Sequence, residues 1–171
     1  MGLLSINDLV LDGIDLTPKR TCLFVEGPDD EAWIGKFIEL FGADGSRYQF
    51  IKLTGATNAE KYFEVAAALG IKYKVIIDDD QNGAPNMTAM LERLKLCKAQ
   101  IVFVGKGLSP RSLEGLFTGR DKFEFMTGGK AVAKNIVRAF SLTQFEQQTI
   151  ENFRKLLLEI GIRLPKEATQ R

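Results

Sequence analysis

Apolar residues change rhythm several times along the chain, and each change marks an element. Thr21–Val25 (TCLFV) is a short apolar run that stops abruptly at Glu26-Gly27-Pro28, as a buried strand does when it runs into a turn. From Asp29 to Phe41 the residues Trp33, Ile34, Phe37, Ile38 and Phe41 recur at helical spacing, which predicts a helix with Asp29 as its N-cap. Gly42 and the GADGS cluster end it. Tyr48–Leu53 (YQFIKL) alternates like a strand, and Asn58 opens an Ala-rich helix that Gly70 closes. Tyr73–Ile77 (YKVII) is the clearest buried strand and leads directly into Asp78-Asp79-Asp80. A turn (QNGAPN) precedes a helix predicted over Met87–Cys97, and IVFVG (101–105) is the next strand.

The order β-α-β-α-β-α-β with short links predicts an α/β fold with a central, mostly parallel sheet and helices on both faces. Beyond Arg111 the chain reads mostly helical. GGKAVAKNIVRAF (128–140) places Val132, Ile136, Val137 and Phe140 on one face and Lys130, Lys134 and Arg138 on another. Leu142–Ile160 reads as an amphipathic C-terminal helix followed by a frayed tail. With no repeat and no long linker, residues 1–171 are expected to form one domain, its core spanning about 20–140.

Composition narrows the chemistry more than the fold. The formal net charge is only +1, so attraction to nucleic acid requires a local basic patch rather than the field of the whole molecule. There is no histidine. Ser-His-Asp and Cys-His catalysis are thereby excluded, as are His-ligated zinc and the usual neutral-pH base, which leaves carboxylates, lysines and a metal. Cys22 and Cys97 fit no metal spacing and read as reduced thiols. No apolar run is long enough to span a membrane, and Asp8 and Asp12 interrupt the N-terminal apolar stretch, which lacks a basic start. A cytoplasmic location is expected, with no membrane partner.

Functional groups of open α/β sheets gather beyond the carboxyl ends of the strands. Glu26 follows the first strand, and Asp78 and Asp80 follow the third. Alternation at a strand end sends Asp78 and Asp80 to one side and Asp79 to the other. Three converging carboxylates repel one another, and a hard divalent cation such as Mg²⁺ (or Mn²⁺), as one or two ions, relieves that repulsion. An acidic triplet by itself also suits a solvated turn or a helix cap. Neither GxGxxG nor GxxxxGK[ST] occurs, so Gly27 and Gly83 read as turn residues rather than phosphate loops.

These blocks carry a family resemblance. LFVEGPDDE (23–31) resembles the first Toprim motif, a strand ending in Glu-Gly, and VIIDDDQNG (75–83) resembles the second, an Asp-x-Asp with a glycine shortly after. The α-β-α filling between them also suits that Rossmann-like fold, and the resemblance extends over roughly 20–140. Asp30-Glu31 and Ser112-Leu113-Glu114 resemble the overcoming-lysogenization-defect (OLD) branch more than topoisomerases or primases. The resemblance implies metal ligation by Glu26, Asp30, Asp78, Asp80 and Glu114 with Ser112 assisting, a helical C-terminal extension, and a lysine near the scissile phosphate. Lys130 is the candidate for that lysine and Lys106 its rival. In bland terms, Asp30 would only favour a helix start, Glu114 would be a surface residue, and Lys130 a solvated lysine.

The expected activity is metal-dependent phosphodiester hydrolysis by an endonuclease, with Glu26, Asp78, Asp80 and Lys130 at the reacting centre. Lys106, Lys134 and Arg138 are expected to contact nucleic acid, DNA in preference to RNA, with Lys52, Arg93 and Lys95 as further contacts. The OLD branch usually joins this domain to an ATPase; no Walker A sequence is present, so the ATPase is expected to be either absent or a separate partner, with another protein partner as the alternative. A homodimer is a further expected means of gaining affinity, and phage defence is the role the resemblance suggests. Tyr48, Tyr62 and Tyr73 fall in core elements, which disfavours a topoisomerase nucleophile. The alternatives are a primase-like or RNA-processing Toprim enzyme, an Asp-x-Asp phosphatase that would leave Glu26 unexplained, and a non-catalytic Toprim module.

Overall fold

A computed structural model of the chain describes residues 10–11, 14–15, 20–53, 56–80, 83–93 and 100–165. Two short strands, β1 (Val10–Leu11) and β2 (Ile14–Asp15), pair antiparallel. The main sheet contains β3 (Thr21–Val25), β4 (Tyr48–Lys52), β5 (Tyr73–Asp78) and β6 (Ile101–Val104), all parallel, in the order β4-β3-β5-β6. The helices are α1 (Pro28–Leu40), α2 (Ala56–Ala68), α3 (Gly83–Arg93), α4 (Gly119–Phe125) and α5 (Gln147–Ile160). This is the α/β architecture expected from the element order, and the sheet is parallel throughout.

Period-two alternation divides each strand between two cores. Leu23 and Val25 of β3, Ile76 of β5, and Val102 and Val104 of β6 face one layer, in which α1 and α5 pack. Cys22, Phe24, Tyr73, Val75 and Ile77 face the opposite layer with Tyr62, Phe63 and Ala66 of α2. Both faces of the sheet are covered, which is why these strands read as nearly continuous apolar runs. The first layer is aromatic: Phe37 stacks on Phe153 with ring centroids 3.6 Å apart, and Trp33 meets Phe117 edge-on at 4.9 Å. Among the described residues no helix is long and apolar enough to cross a membrane.

Several local expectations are revised. The N-cap of α1 is Gly27 in an extended conformation, with Pro28 opening the helix; Asp29 lies inside the first turn. Helix α2 begins at Ala56 rather than Asn58, and α3 begins at Gly83 rather than Met87. Lys95 and Cys97 lie outside the described residues. The 128–140 segment is not an α-helix with an apolar face. Thr127 and Lys130 form a β-bridge around Gly128 and Gly129, both at positive φ, and a 3₁₀ helix follows over Ala133–Arg138. Buried Asn135 holds this arrangement by donating to the Phe125 carbonyl (2.7 Å) and Thr127 Oγ1 (3.0 Å), while Val137 and Phe140 are exposed. The expected helix over Leu142–Ile160 is likewise broken. A 3₁₀ turn at Leu142–Gln144 precedes α5, and between them Phe145 enters the core against Phe37 and Phe125.

Candidate active site at the carboxyl ends of the strands

From β3 the chain moves outward to β4, then returns to the other side of β3 to form β5 and β6. The direction of winding therefore reverses between β3 and β5, and the crevice beyond their carboxyl ends is the natural place for a site. Glu26 directly follows β3, Asp78 is the last residue of β5, and the pairing Val25↔Ile76 sets these ends side by side. Asp30 joins them from the first turn of α1, where its Oδ2 accepts the Gly27 N–H at 2.9 Å.

Glu114 arrives from a 3₁₀ turn, Leu113–Leu116, beyond β6. Buried Leu113 and Leu116 anchor this turn, and the Leu113 N–H donates to Asp78 Oδ1 at 3.1 Å. Two glycines make the approach feasible. A Cβ on Gly105, which sits at φ 71°, would collide with the Ser112 backbone, and one on Gly115 would collide with the Pro110 carbonyl oxygen. Ser112 Oγ donates to Glu114 Oε2 at 2.6 Å, the Ala131 N–H reaches Oε1 at 3.4 Å, and Lys130 Nζ lies 3.8 Å from Oε1.

The charges of these carboxylates act on one another. Burial pushes the Asp78 carboxyl up to about 7, and the charges of Asp30, Glu26 and Glu114 push the same way against the opposing Leu113 N–H. Asp30 is pushed up to about 6 by burial, with the Glu114 and Asp29 charges adding to it and the Gly27 N–H opposing. Glu26 is also raised, by burial and then by Asp30 and Asp80. Glu114 differs: burial raises it, but the Ser112 hydroxyl, Lys130 and the Ala131 N–H together hold it below the usual carboxylate value. Asp78 and Asp30 thus hold a proton more tightly than an ordinary carboxyl, whereas Glu114, its side chain 12% exposed, holds one less tightly beside Lys130.

An all-oxygen donor set, crowded and part-buried, has the chemistry that suits Mg²⁺ or Mn²⁺. Among the described residues no three acidic side chains stand close enough to enclose an ion as they are. Asp79 turns elsewhere, lying 3.9 Å from Arg111. Lys106 is exposed and lines a small cleft against α5 with Lys155 and Glu159, away from the carboxylates. Lys134 and Arg138 are exposed on the 3₁₀ segment, and Arg138 donates to the Glu124 carbonyl at 3.3 Å. Lys52 lies 3.8 Å from Glu31.

Sequence reasoning missed Asp29, whose Oδ1 accepts the Ala133 N–H at 2.6 Å and so ties the Lys130 segment to α1. It also missed the Leu113 N–H that orients Asp78. Neither leaves a sequence signal, because one partner in each is a backbone group far along the chain.

Residues 19–80 match the sequence model of the family described as overcoming lysogenization defect protein-like, TOPRIM domain. That stretch includes Glu26, Asp30, Asp78 and Asp80, and the resemblance read from the two motifs holds there. No curated protein matches the chain. Among solved structures, the C-terminal region of the Burkholderia pseudomallei OLD protein is similar at 13% identity and a TM-score of 0.47, covering 83% of this chain and 98% of that one.

Proposed function

We propose that this protein is a divalent-metal-dependent nuclease that hydrolyses phosphodiester bonds in nucleic acid, with DNA preferred over RNA. The observation that carries the reading is the position of Glu26 and Asp78 at adjacent strand ends on the switch point of a parallel sheet, with Asp30 on the Gly27 N–H and the Leu113–Glu114 turn brought to Asp78 by the Leu113 N–H. The TOPRIM match over 19–80, a domain type tied to nucleic-acid chemistry, supports it. In this reading Glu26, Asp30, Asp78, Asp80 and Glu114 would hold Mg²⁺ or Mn²⁺. When bound, the metal supplies a polarised water and offsets charge on the phosphate.

The chain's own residues contribute the remainder. Ser112 fixes the orientation of Glu114 through its short hydrogen bond. Lys130, 74% exposed, can swing from Glu114 toward a phosphate oxygen and offset charge that grows in the transition state. Lys134 and Arg138, and Lys106 from the far side of β6, would grip the nucleic-acid backbone. A separate ATPase, a homodimer and a part in phage defence belong to the same proposal.

The test is incubation with supercoiled plasmid, single-stranded DNA and RNA in Mg²⁺ or Mn²⁺, alongside Asp78→Asn and Glu26→Gln. Cleavage by the wild type that both variants abolish supports the proposal. No cleavage of any substrate, with no thermal shift in metal, would instead favour a non-catalytic interaction module.

A further inference from the structure

At the opposite end of the sheet the charge is reversed. A cleft of about 520 Å³ opens beyond the amino ends of β3, β4 and β5, lined by Arg20, Arg47, Lys72, Lys74 and Arg163, and among the described residues no acidic side chain forms part of its walls. Four of these cations directly precede strands or follow α5, so the parallel arrangement itself gathers them: every strand of the main sheet runs from this pole toward the carboxylates. With strands of five or six residues, about 3.3 Å of rise per residue separates the two poles by about 15 Å. The net charge of +1 conceals this separation.

Among the described residues Arg20, Lys72 and Arg163 form no ion pair. Asp44 feels Arg47, but its carboxylate is held by the Ser46 hydroxyl and N–H at 2.6 and 3.1 Å. The C-terminus of α5 also reaches the cleft at Gly161. The negative end of its dipole is equivalent to roughly half a charge, far less than the summed charge of Arg20, Lys72 and Arg163. Gathering so many positive side chains about one concavity is unfavourable unless an anion spends time there.

We infer that this cleft binds a small molecule bearing an oligophosphate chain, such as a nucleoside triphosphate or free tripolyphosphate. The size fits one small ligand. A ligand of three or four negative charges in one volume matches the convergent cations, whereas a nucleic-acid strand spreads its charge along an extended track. A strand engaged at the carboxylates would also have to wrap around the sheet to reach it. The inference stands apart from the nuclease proposal, since it uses none of the same residues.

Calorimetric titration of the full chain in EDTA tests it, because without metal the carboxylate pole repels the probes. Tripolyphosphate, adenosine triphosphate and a single-stranded 20-mer oligonucleotide are the probes. Saturable binding of tripolyphosphate or adenosine triphosphate is expected. The double variant Lys72→Glu/Arg163→Glu should weaken it at least tenfold, and Lys72→Gln/Arg163→Gln at least threefold. The control Lys155→Glu, on α5 outside the cleft and equal in net charge change to the glutamine pair, should leave it within twofold. A preference for the nucleoside triphosphate assigns a contribution to the base; equal affinities assign binding to the phosphates alone. Absence of saturable binding overturns the inference, as does equal weakening by Lys155→Glu. Cleft-dependent binding of the oligonucleotide that exceeds both small probes would overturn it in favour of a strand-binding surface.

Discussion

Replacing Asp78 by asparagine should make the metal-free protein more stable while removing its response to metal. In the fold the Asp78 carboxyl is pushed from 3.8 up to about 7, by burial and then by Asp30, Glu26 and Glu114. A carboxyl raised in this way supports folding fully below pH 3.8, and that support is lost as pH rises through about 7. At about 1.4 kcal/mol for each tenfold change in proton affinity, the nominal cost of holding it ionised is about 4 kcal/mol. Solvent reaches the half-buried group and screens it, so about 1–2 kcal/mol is the working figure. Asparagine retains the Oδ1 that accepts the Leu113 N–H. At pH 8, Asp78→Asn should therefore raise Tm by about 3–6 °C for a chain of this length. At pH 5 the wild-type carboxyl is largely protonated and the difference should shrink to about 1 °C. Addition of 10 mM Mg²⁺ should stabilise the wild type by about 1.4 kcal/mol if the dissociation constant is about 1 mM, and the variant by much less. Differential scanning fluorimetry at both pH values, with and without metal, reads all four arms. A variant that melts lower than wild type at pH 8, or whose effect does not depend on pH, would refute the shared-field account.

Metal stabilisation of the wild type should itself depend on pH, because ions compete with protons on Asp30 and Asp78, at about 6 and about 7. The Mg²⁺-induced Tm shift should be largest near pH 8 and vanish by pH 5, and a shift that persists at pH 5 would count against binding at these groups. Gly115→Ala would drive a Cβ into the Pro110 carbonyl; it should cost about 1–3 kcal/mol and blunt the metal response by displacing Glu114, as seen in denaturant melts with and without Mg²⁺. Lys130→Gln should change stability by less than about 1 kcal/mol, since its ion pair is exposed, yet lower the cleavage rate by roughly tenfold to a hundredfold. Phe37→Ala removes the ring stacked on Phe153 and should cost about 3–5 kcal/mol in urea unfolding, with the activity per folded molecule little changed.

Much of this molecule is written locally. Apolar runs such as TCLFV and YKVII announce doubly covered strands because both faces of the sheet are buried, and the spacing of Trp33, Ile34, Phe37 and Ile38 announces α1 because one helix face meets the core. The acidic strand ends and the two motif blocks were also legible, since their residues lie within a few positions of one another. The C-terminal third was not. Its apolar periodicity suggested helices, but buried Asn135 satisfies its amide on Phe125 and Thr127, and Phe145 leaves the helical path to fill a gap beside Phe37. Those outcomes depend on partners that no local window contains.

The sequence alone determined the α/β class, the placing of Glu26 and Asp78 at strand ends, and the absence of histidine chemistry in this chain, because each follows from residue type and near-neighbour spacing. Only the tertiary structure decided that β5 returns to the far side of β3, that the Leu113 N–H and the Glu114 carboxylate reach Asp78's surroundings, and that five cations collect at the opposite pole. Strand order and long-range approach are set by how the two cores pack, and that packing sums contacts between residues far apart in the chain.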